Sequence, residues 1–294
     1  MKKISKAVFP VGGMGTRFLP ATKSIPKEML PIIDKPLIQY AVEEAILAGI
    51  STLIFITSAS KHAISDHFDP MPLLRKKFVA EGKKHLLDKL HTLPKEITRV
   101  FIPQGEPLGL GHAVLQAKEI VGDEFFSVIL ADDFIKPNAN KKNATKQLID
   151  AAIKHNASVI SVEQVADERI SQYGIVDIGK KTAETNPIQS IIEKPSIEQA
   201  PSNLGVIGRY VLAPVIFQHL ENTQKDKGGE IQLTDALAKL LEKPNNLFAA
   251  TLDGKRYDCG HKLGYIQATI DCALNDDSIA HDISTFLQEF QHEK

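Results

Sequence analysis

Two cysteines in 294 residues, Cys259 and Cys272, are too few for a disulfide framework. A reduced, cytoplasmic setting is therefore the default expectation. Charge of one sign is lacking too: 35 lysines and arginines stand against 36 aspartates and glutamates. Such a balance gives neither the basic face that a nucleic-acid partner needs nor the polybasic cluster that holds a protein to an anionic membrane. No apolar run comes near the roughly 18 residues of a spanning helix. The lysine-led start turns apolar as a secretory signal would, but its apolar stretch is short and glycines follow at once, so it reads as a first strand. Tandem repeats and low-complexity segments are missing. What is present is an ordinary globular composition, 43% apolar, that can bury a real core.

Apolar runs of strand length recur at Lys6–Val11, Thr52–Thr57, Arg99–Pro103, Phe126–Ala131 and Ser158–Val162. Amphipathic stretches separate them, among them Pro36–Ala48 and Gly111–Val121. This alternation predicts an α/β fold: a Rossmann-like mixed, mostly parallel sheet with helices on both faces. Past about residue 165 the runs Tyr173–Ile178, Ile188–Glu193 and Leu204–Leu212 follow one another without helices, which predicts an antiparallel or mixed extension. Helical pattern returns at Gly229–Leu241, again from Lys262, and at Ile279–Gln291. One unit over residues 1–294 is expected, with a nucleotide half to about 165 and a sugar half with C-terminal helices from about 166. The lysine- and leucine-rich stretch Asp66–Leu93 reads as helix-like and peripheral.

The first strand runs into Val11-Gly12-Gly13-Met14-Gly15-Thr16-Arg17. Glycines directly after a strand let backbone N–H groups approach a phosphate closely. Two familiar loops are excluded. A P-loop ends in Gly-Lys-Ser/Thr, whereas Thr16-Arg17 follows Gly15. A dinucleotide fingerprint needs Gly or Ala where Phe18 stands. Downstream, Arg17, Lys23 and Lys27 sit on a loop punctuated by Pro20, Pro26 and Pro31, too dense in proline for a regular helix. A stiff, glycine-lined loop with one guanidinium fork and two ammonium groups suits a triphosphate.

The segment from Gly13 to Pro31 resembles the signature of the sugar-nucleotide pyrophosphorylases, and within them most closely the bacterial UTP–glucose-1-phosphate uridylyltransferases. The resemblance extends over nearly the whole chain. It runs through Gln104-Gly-Glu-Pro-Leu-Gly-Leu-Gly-His-Ala113, Leu130-Ala-Asp-Asp133, Tyr173-Gly-Ile-Val176, Glu193-Lys-Pro195, Gly208-Arg-Tyr210, Gly229-Glu-Ile-Gln-Leu-Thr-Asp235 and Tyr257-Asp-Cys-Gly-His-Lys-Leu-Gly264. Each motif alone is weak; their order and spacing together are specific. Gly12 and Met14 stand where the family more often has Ala and Leu, and Asp69–Lys77 is less typical.

The resemblance implies a nucleotide-diphospho-sugar transferase fold and a Mg²⁺-dependent attack by the phosphate of glucose-1-phosphate on the α-phosphorus of UTP. UDP-glucose and pyrophosphate would be the products. It implies that Arg17, Lys27, Lys194 and Lys262 handle the phosphates, and that Gly12, Gly13, Gly15, Gln104 and Gly109 line the nucleotide. Glu28 either contacts the base or ties the loop down. Gly174, Glu193, Val206 and Glu230 are expected at the sugar, and Asp132 and Asp258 at the metal. The residue chemistry agrees. The Gln104 amide complements a uracil edge. A carboxylate at a strand's C-terminal end faces the ligand crevice of an open sheet, and since neighbouring strand residues point to opposite faces, one of Asp132 and Asp133 ligates directly. His112 is expected to cap a helix and Cys259 to pack. The family also implies a homodimer or homotetramer. Thymidylyl transfer to the same sugar, and a weakly catalytic paralogue that binds UDP-glucose and modulates a partner, fit the same motifs.

Overall fold

Ala7, Val8 and Phe9 are each fully buried, as a strand covered on both faces must be. They form β1 (Lys6–Pro10), near the middle of the main sheet. The computed structural model describes residues 3–59, 61–87, 89–90 and 93–292. The further strands are β2 (Thr52–Thr57), β3 (Thr98–Pro103), β4 (Phe126–Ile129), β5 (Asp133–Pro137), β6 (Ser158–Gln164), β7 (Gly174–Asp177), β8 (Thr185–Pro187), β9 (Ser190–Glu193), β10 (Leu204–Leu212), β11 (Leu247–Thr251) and β12 (Gly254–Asp258). Two strands of two residues each, Pro31–Ile32 and Lys35–Pro36, pair with one another.

The main sheet has the order β8-β11-β6-β10-β4-β1-β2-β3. β1 pairs in parallel with β2 and β4, β2 with β3, and β11 with β6. β10 joins the halves, running antiparallel to β4 on one side and to β6 on the other, and the edge strand β8 is antiparallel to β11. β7 adds to the start of β10, and β9 to β7, which is the antiparallel extension the sequence predicts. Helices Gly109–Leu115, Ile216–Glu221 and Leu233–Leu240 cover one face. Leu37–Leu47 and Ala144–His155 cover the other. The mixed, mostly parallel, doubly covered sheet is as expected.

Several boundaries differ for local reasons. The stretch expected as one helix over Gly111–Val121 is two, Gly109–Leu115 and Lys118–Val121. Between them the Ala117 N–H bonds to the Val114 carbonyl, an i−3 contact that tightens and ends the first helix. The helix expected from Gly229 begins at Leu233, because Ile231 is lashed to the preceding loop: its N–H donates to the Leu108 carbonyl at 2.8 Å, and its carbonyl accepts from the Gly111 N–H at 2.9 Å. Within Asp66–Leu93, helix Pro72–Ala80 buries none of its residues, in keeping with a peripheral role. Among the described residues no helix is long and apolar enough to cross a membrane.

A buried ion pair ties the Leu37–Leu47 helix to β10. Arg209 of β10 donates from Nε and Nη2 to the two oxygens of Glu44, at 3.0 and 2.8 Å. Thr145, at the start of the Ala144–His155 helix, donates to Glu44 Oε1 through its N–H and its hydroxyl. Arg209 Nη1 also holds the Leu130 carbonyl at 2.9 Å, two residues before Asp132. Burial would raise the Glu44 carboxyl, but the Arg209 charge and these donors hold it below the ordinary carboxylate range. Replacing Glu44 by Gln strands a buried guanidinium, so urea unfolding at neutral pH should lose about 3–5 kcal/mol. Because the folded pKa is depressed, this gap should be full above the ordinary value of 4.5 and shrink as pH falls below it. A gap that stays constant from pH 7 to pH 3 would show that the charge on Glu44 is not what matters.

Candidate active site

Two adjoining cavities open at the C-terminal ends of β1 and β4. The larger, about 340 Å³, is lined by Gly12, Gly13, Lys27, Gln104, Gly109 and Asp132, with Glu230 among its other walls. The smaller, about 200 Å³, is lined by Arg17, Tyr173, Gly174, Glu193, Val206, Thr234 and Asp258, among others. Leu110 and Leu130 belong to both walls, so the two spaces meet there.

The proline-punctuated loop takes the irregular form its sequence requires. Only short 3₁₀ turns occur in it, at Thr16–Phe18, Ala21–Lys23 and Lys27–Met29. Gly15 adopts a left-handed conformation (φ 65°), and its carbonyl accepts from the Thr22 hydroxyl at 2.6 Å. Lys27 reaches across to Asp132, Nζ to Oδ2 2.5 Å. Burial alone would lower the Lys27 ammonium and raise the Asp132 carboxyl. Their mutual attraction overrides both, so Lys27 stands above its ordinary pKa and Asp132 below. Both are charged at neutral pH.

Glu28, 1% exposed, takes up the second of its two expected roles. Its Oε2 accepts from Lys61 Nζ at 2.8 Å, and that ammonium also donates to the Val11 carbonyl at 2.6 Å. Glu28 thus ties the loop to the end of β1, and it lines neither cavity. Lys61 is a residue the sequence reading misses; no local pattern marks it.

Asp132 lies in the turn after β4 and Asp133 opens β5, and the two carboxylates meet different partners. Asp133 Oδ2 accepts from the Gly208 N–H at 2.8 Å and Oδ1 from Arg256 Nε at 2.5 Å. Burial raises its carboxyl despite that guanidinium. It pins the irregularity of β10, where the register with β6 shifts between Val206 and Tyr210, and Val206 faces the smaller cavity from there. β12 lies antiparallel to β5 and sets Asp258 opposite Asp133. Asp258 Oδ2 accepts from Arg169 Nη2 at 2.7 Å and from the Tyr173 hydroxyl at 3.1 Å. Arg169, Tyr173, Thr234 and Arg256 are further site residues; Tyr173 and Thr234 lie inside quoted motifs, whereas Arg169 and Arg256 carry no sequence signal.

A Cβ placed on Gly260 would stand 3.1 Å from both Asp132 Oδ2 and Asp258 Oδ1, and 3.6 Å from Arg17 Nη1. The two carboxylates therefore converge on one spot beside Arg17. Among the described residues no third His, Cys, Asp or Glu joins them as a ready metal cage. Two carboxylates that leave positions for water and phosphate suit Mg²⁺, which rarely takes an all-protein cage.

On the sugar side, Glu193 ends β9 and Lys194 follows with a positive φ of 43°, its Nζ 3.3 Å from Glu193 Oε1. Lys194 is exposed and lies outside both linings, as does Lys262 at the start of the Lys262–Ala273 helix. Glu230, expected at the sugar, sits instead on the wall of the larger cavity: a Cβ on Gly109 (φ 90°) would be 2.8 Å from the Glu230 Cβ, so only glycine allows this approach. His112 does not cap its helix, whose cap position is Leu108. It lies inside the helix with Nδ1 2.9 Å from the Gln104 amide nitrogen. Cys259 is 2% exposed and its thiol is pushed up to about 12 by burial and the nearby aspartates, so it packs and is no nucleophile.

This constellation has known counterparts. Residues 6–274 match the family described as nucleotidyl transferase. The chain is 46% identical to the UTP–glucose-1-phosphate uridylyltransferase of Bacillus subtilis strain 168, over 98% of this chain and 97% of the relative. It belongs to the nucleotidyl transferase family. Its identity to the enzyme of the same name from Staphylococcus epidermidis is 44%, over 98% and 99% of the two chains. Among solved structures, a UTP-bound UGPase from Acinetobacter baumannii superposes with a TM-score of 0.89 at 41% identity, covering 98% of this chain and 99% of that one. A UDP-glucose pyrophosphorylase complexed with UDP-glucose gives a TM-score of 0.81 at 40% identity, covering 93% and 100%.

In this family member the helix after Asp258 presses onto the site. A Cβ on Gly264 would stand 2.2 Å from the Asp258 carbonyl oxygen, and backbone cannot step aside as a side-chain tip can. Gly264→Ala should therefore displace Asp258 and cut kcat by about 100-fold, read in a pyrophosphate-release assay. Unchanged turnover would mean that Asp258 need not hold its present position.

Proposed function

We propose that the chain joins UTP to glucose-1-phosphate, releasing pyrophosphate and forming UDP-glucose. The observation that carries this reading is the pair of cavities meeting at Leu110 and Leu130, with cationic Arg17 and Lys27 and the convergent Asp132 and Asp258 around them. The relatives' names, and the UTP and UDP-glucose bound in the similar solved structures, agree with it.

In this reading an oxygen of the sugar phosphate attacks the α-phosphorus, a P–O bond forms, and the bond to the bridging oxygen of the β-phosphate breaks. The nucleophile is already an anion, so no general base is needed. Positioning and charge stabilisation do the work. Gly13 and Gly15 offer the loop backbone to the triphosphate, while Arg17 takes the β- and γ-phosphates and Lys27 the reacting phosphates. Gln104 and Gly109 hold the base. Gly174, Glu193 and Val206 receive the sugar hydroxyls, and Lys194 and Lys262 neutralise the sugar phosphate. Asp132 and Asp258 would hold Mg²⁺, which supplies neutralisation of the charge on the phosphates. The larger cavity, built mostly before residue 165, is the nucleotide side of one catalytic unit, and the smaller is the sugar side. Cytoplasmic residence and self-association as a homodimer or homotetramer belong to the same proposal; the C-terminal helix, with Phe286 and Phe290 stacked at its surface, suits such a contact.

The test is pyrophosphate release from UTP and glucose-1-phosphate with Mg²⁺, run beside dTTP. Activity is expected with a preference for UTP; a clear preference for dTTP would reassign the nucleotide, and a folded protein inactive with both would overturn the reading. Asp132→Ala should lower turnover at least about 100-fold with its melting curve retained, and near-normal turnover at saturating Mg²⁺ would remove it from the metal. Lys194→Ala should raise KM for glucose-1-phosphate about tenfold, the worth of one charge-assisted contact, with KM for UTP little changed. The reverse split would move Lys194 to the nucleotide.

A further inference from the structure

Gln104 carries an amide whose two ends would read a pyrimidine in opposite ways. An oxygen facing the base accepts from the N3–H of uracil; a nitrogen facing it donates to the bare N3 of cytosine. Which end faces the base is set by what the other end touches. Here Gln104 Nε2 is 2.9 Å from His112 Nδ1 and 3.5 Å from the Gly109 carbonyl oxygen. Its Oε1 points the other way, 2.9 Å from where a Cβ on Gly12 would stand, toward the glycine loop that walls the larger cavity. Turning the amide over would set Oε1 against the Gly109 carbonyl, acceptor against acceptor. The Gln104 nitrogen therefore donates to His112 Nδ1, and a neutral imidazole that accepts at Nδ1 carries its proton on Nε2. That nitrogen is 3.1 Å from Gln116 Nε2, one turn on along the same stretch, so a proton there requires the Gln116 amide to turn its oxygen toward the ring. The tautomer is thus set by the Gln104 contact and the Gly109 carbonyl behind it.

Resting on the reading that Gln104 meets the base, we propose that His112 is a positioning residue. It locks the Gln104 amide with oxygen toward the base and so selects uracil over cytosine. Thymine shares the N3–H, and the device does not discriminate against it.

The experiment measures kcat and KM for UTP, CTP and dTTP at saturating glucose-1-phosphate and Mg²⁺, with melting curves, for wild type and four variants. His112→Phe removes the acceptor and lets the amide turn. Its KM for UTP should rise about tenfold with kcat little changed, and the UTP-over-CTP ratio of kcat/KM should fall by about tenfold, the worth of one oriented hydrogen bond. The dTTP-over-UTP ratio should stay put. His112→Asn, whose Oδ1 occupies the place of Nδ1, should restore the ratio. His112→Gln, whose amide reaches the Nε2 position instead, should show the loss again in a polar side chain, which serves if the Phe variant does not fold. Gln104→Ala separates the two failures. If it abolishes the UTP-over-CTP preference while His112→Phe and His112→Gln keep it, His112 does not orient the amide and the inference is wrong. If Gln104→Ala itself changes neither KM nor the ratio, the assignment of Gln104 to the base is wrong, and the inference falls with it.

Discussion

The contact between the Lys27 ammonium and the Asp132 carboxylate, 2.5 Å long, is the constraint around which the site is arranged. Burial pulls each partner toward its neutral form, and the charge of the other more than offsets that pull. The contact ties a loop with no regular structure of its own to the end of a central strand. It therefore fixes the glycines before Lys27 as well as the lysine itself. The same economy recurs nearby: Arg169 faces Asp258, Arg256 faces Asp133, and Lys61 faces Glu28. A site meant for polyanions must concentrate cations, and without anions bound it keeps them from repelling one another by pairing them with its own carboxylates. In the proposed reaction the phosphates would take over the cations and free Asp132 and Asp258 for the metal.

The central strands were legible because burial on both faces leaves a plain apolar run, as in β1, β2 and β10. β5 and β12 were not. Their residues, Asp133–Pro137 and Gly254–Asp258, mix charge with apolar side chains and carry no clear period. They are strands because they pair with each other, more than a hundred residues apart, and because Arg256 on one meets Asp133 on the other. The helix Ala144–His155 goes unplaced from sequence, although Asn143, whose side chain accepts from the Lys146 N–H, and Asn156 in the left-handed conformation mark its two ends. Site residues were legible where they sat in motifs of fixed order. Arg169 and Arg256 were not, since an arginine becomes informative only when the carboxylate it faces is known. His112 was misread as a cap because its partner, Gln104, lies eight residues back, across a turn whose path the sequence does not reveal.

Asp132 and Asp133 make the general point in two adjacent residues. A turn ends between them, with Asp132 in it and Asp133 opening β5, and the two carboxylates meet different partners. The countercharge of Asp132 is a lysine on a loop, a partner that in the proposed reaction a phosphate would draw away. Asp133 has to hold the backbone of β10 at Gly208, so its countercharge is Arg256, a rigid fork that is itself buried and shared with Glu163. Exchange of the two countercharges would leave the composition unchanged and undo both arrangements: a fork would clamp Asp132, and a single ammonium would replace the two-sided hold of Arg256 on Asp133 and Glu163. The difference between the two aspartates lies in which cation answers each, and the fold decides that by placing one of those cations on a strand and the other on a loop.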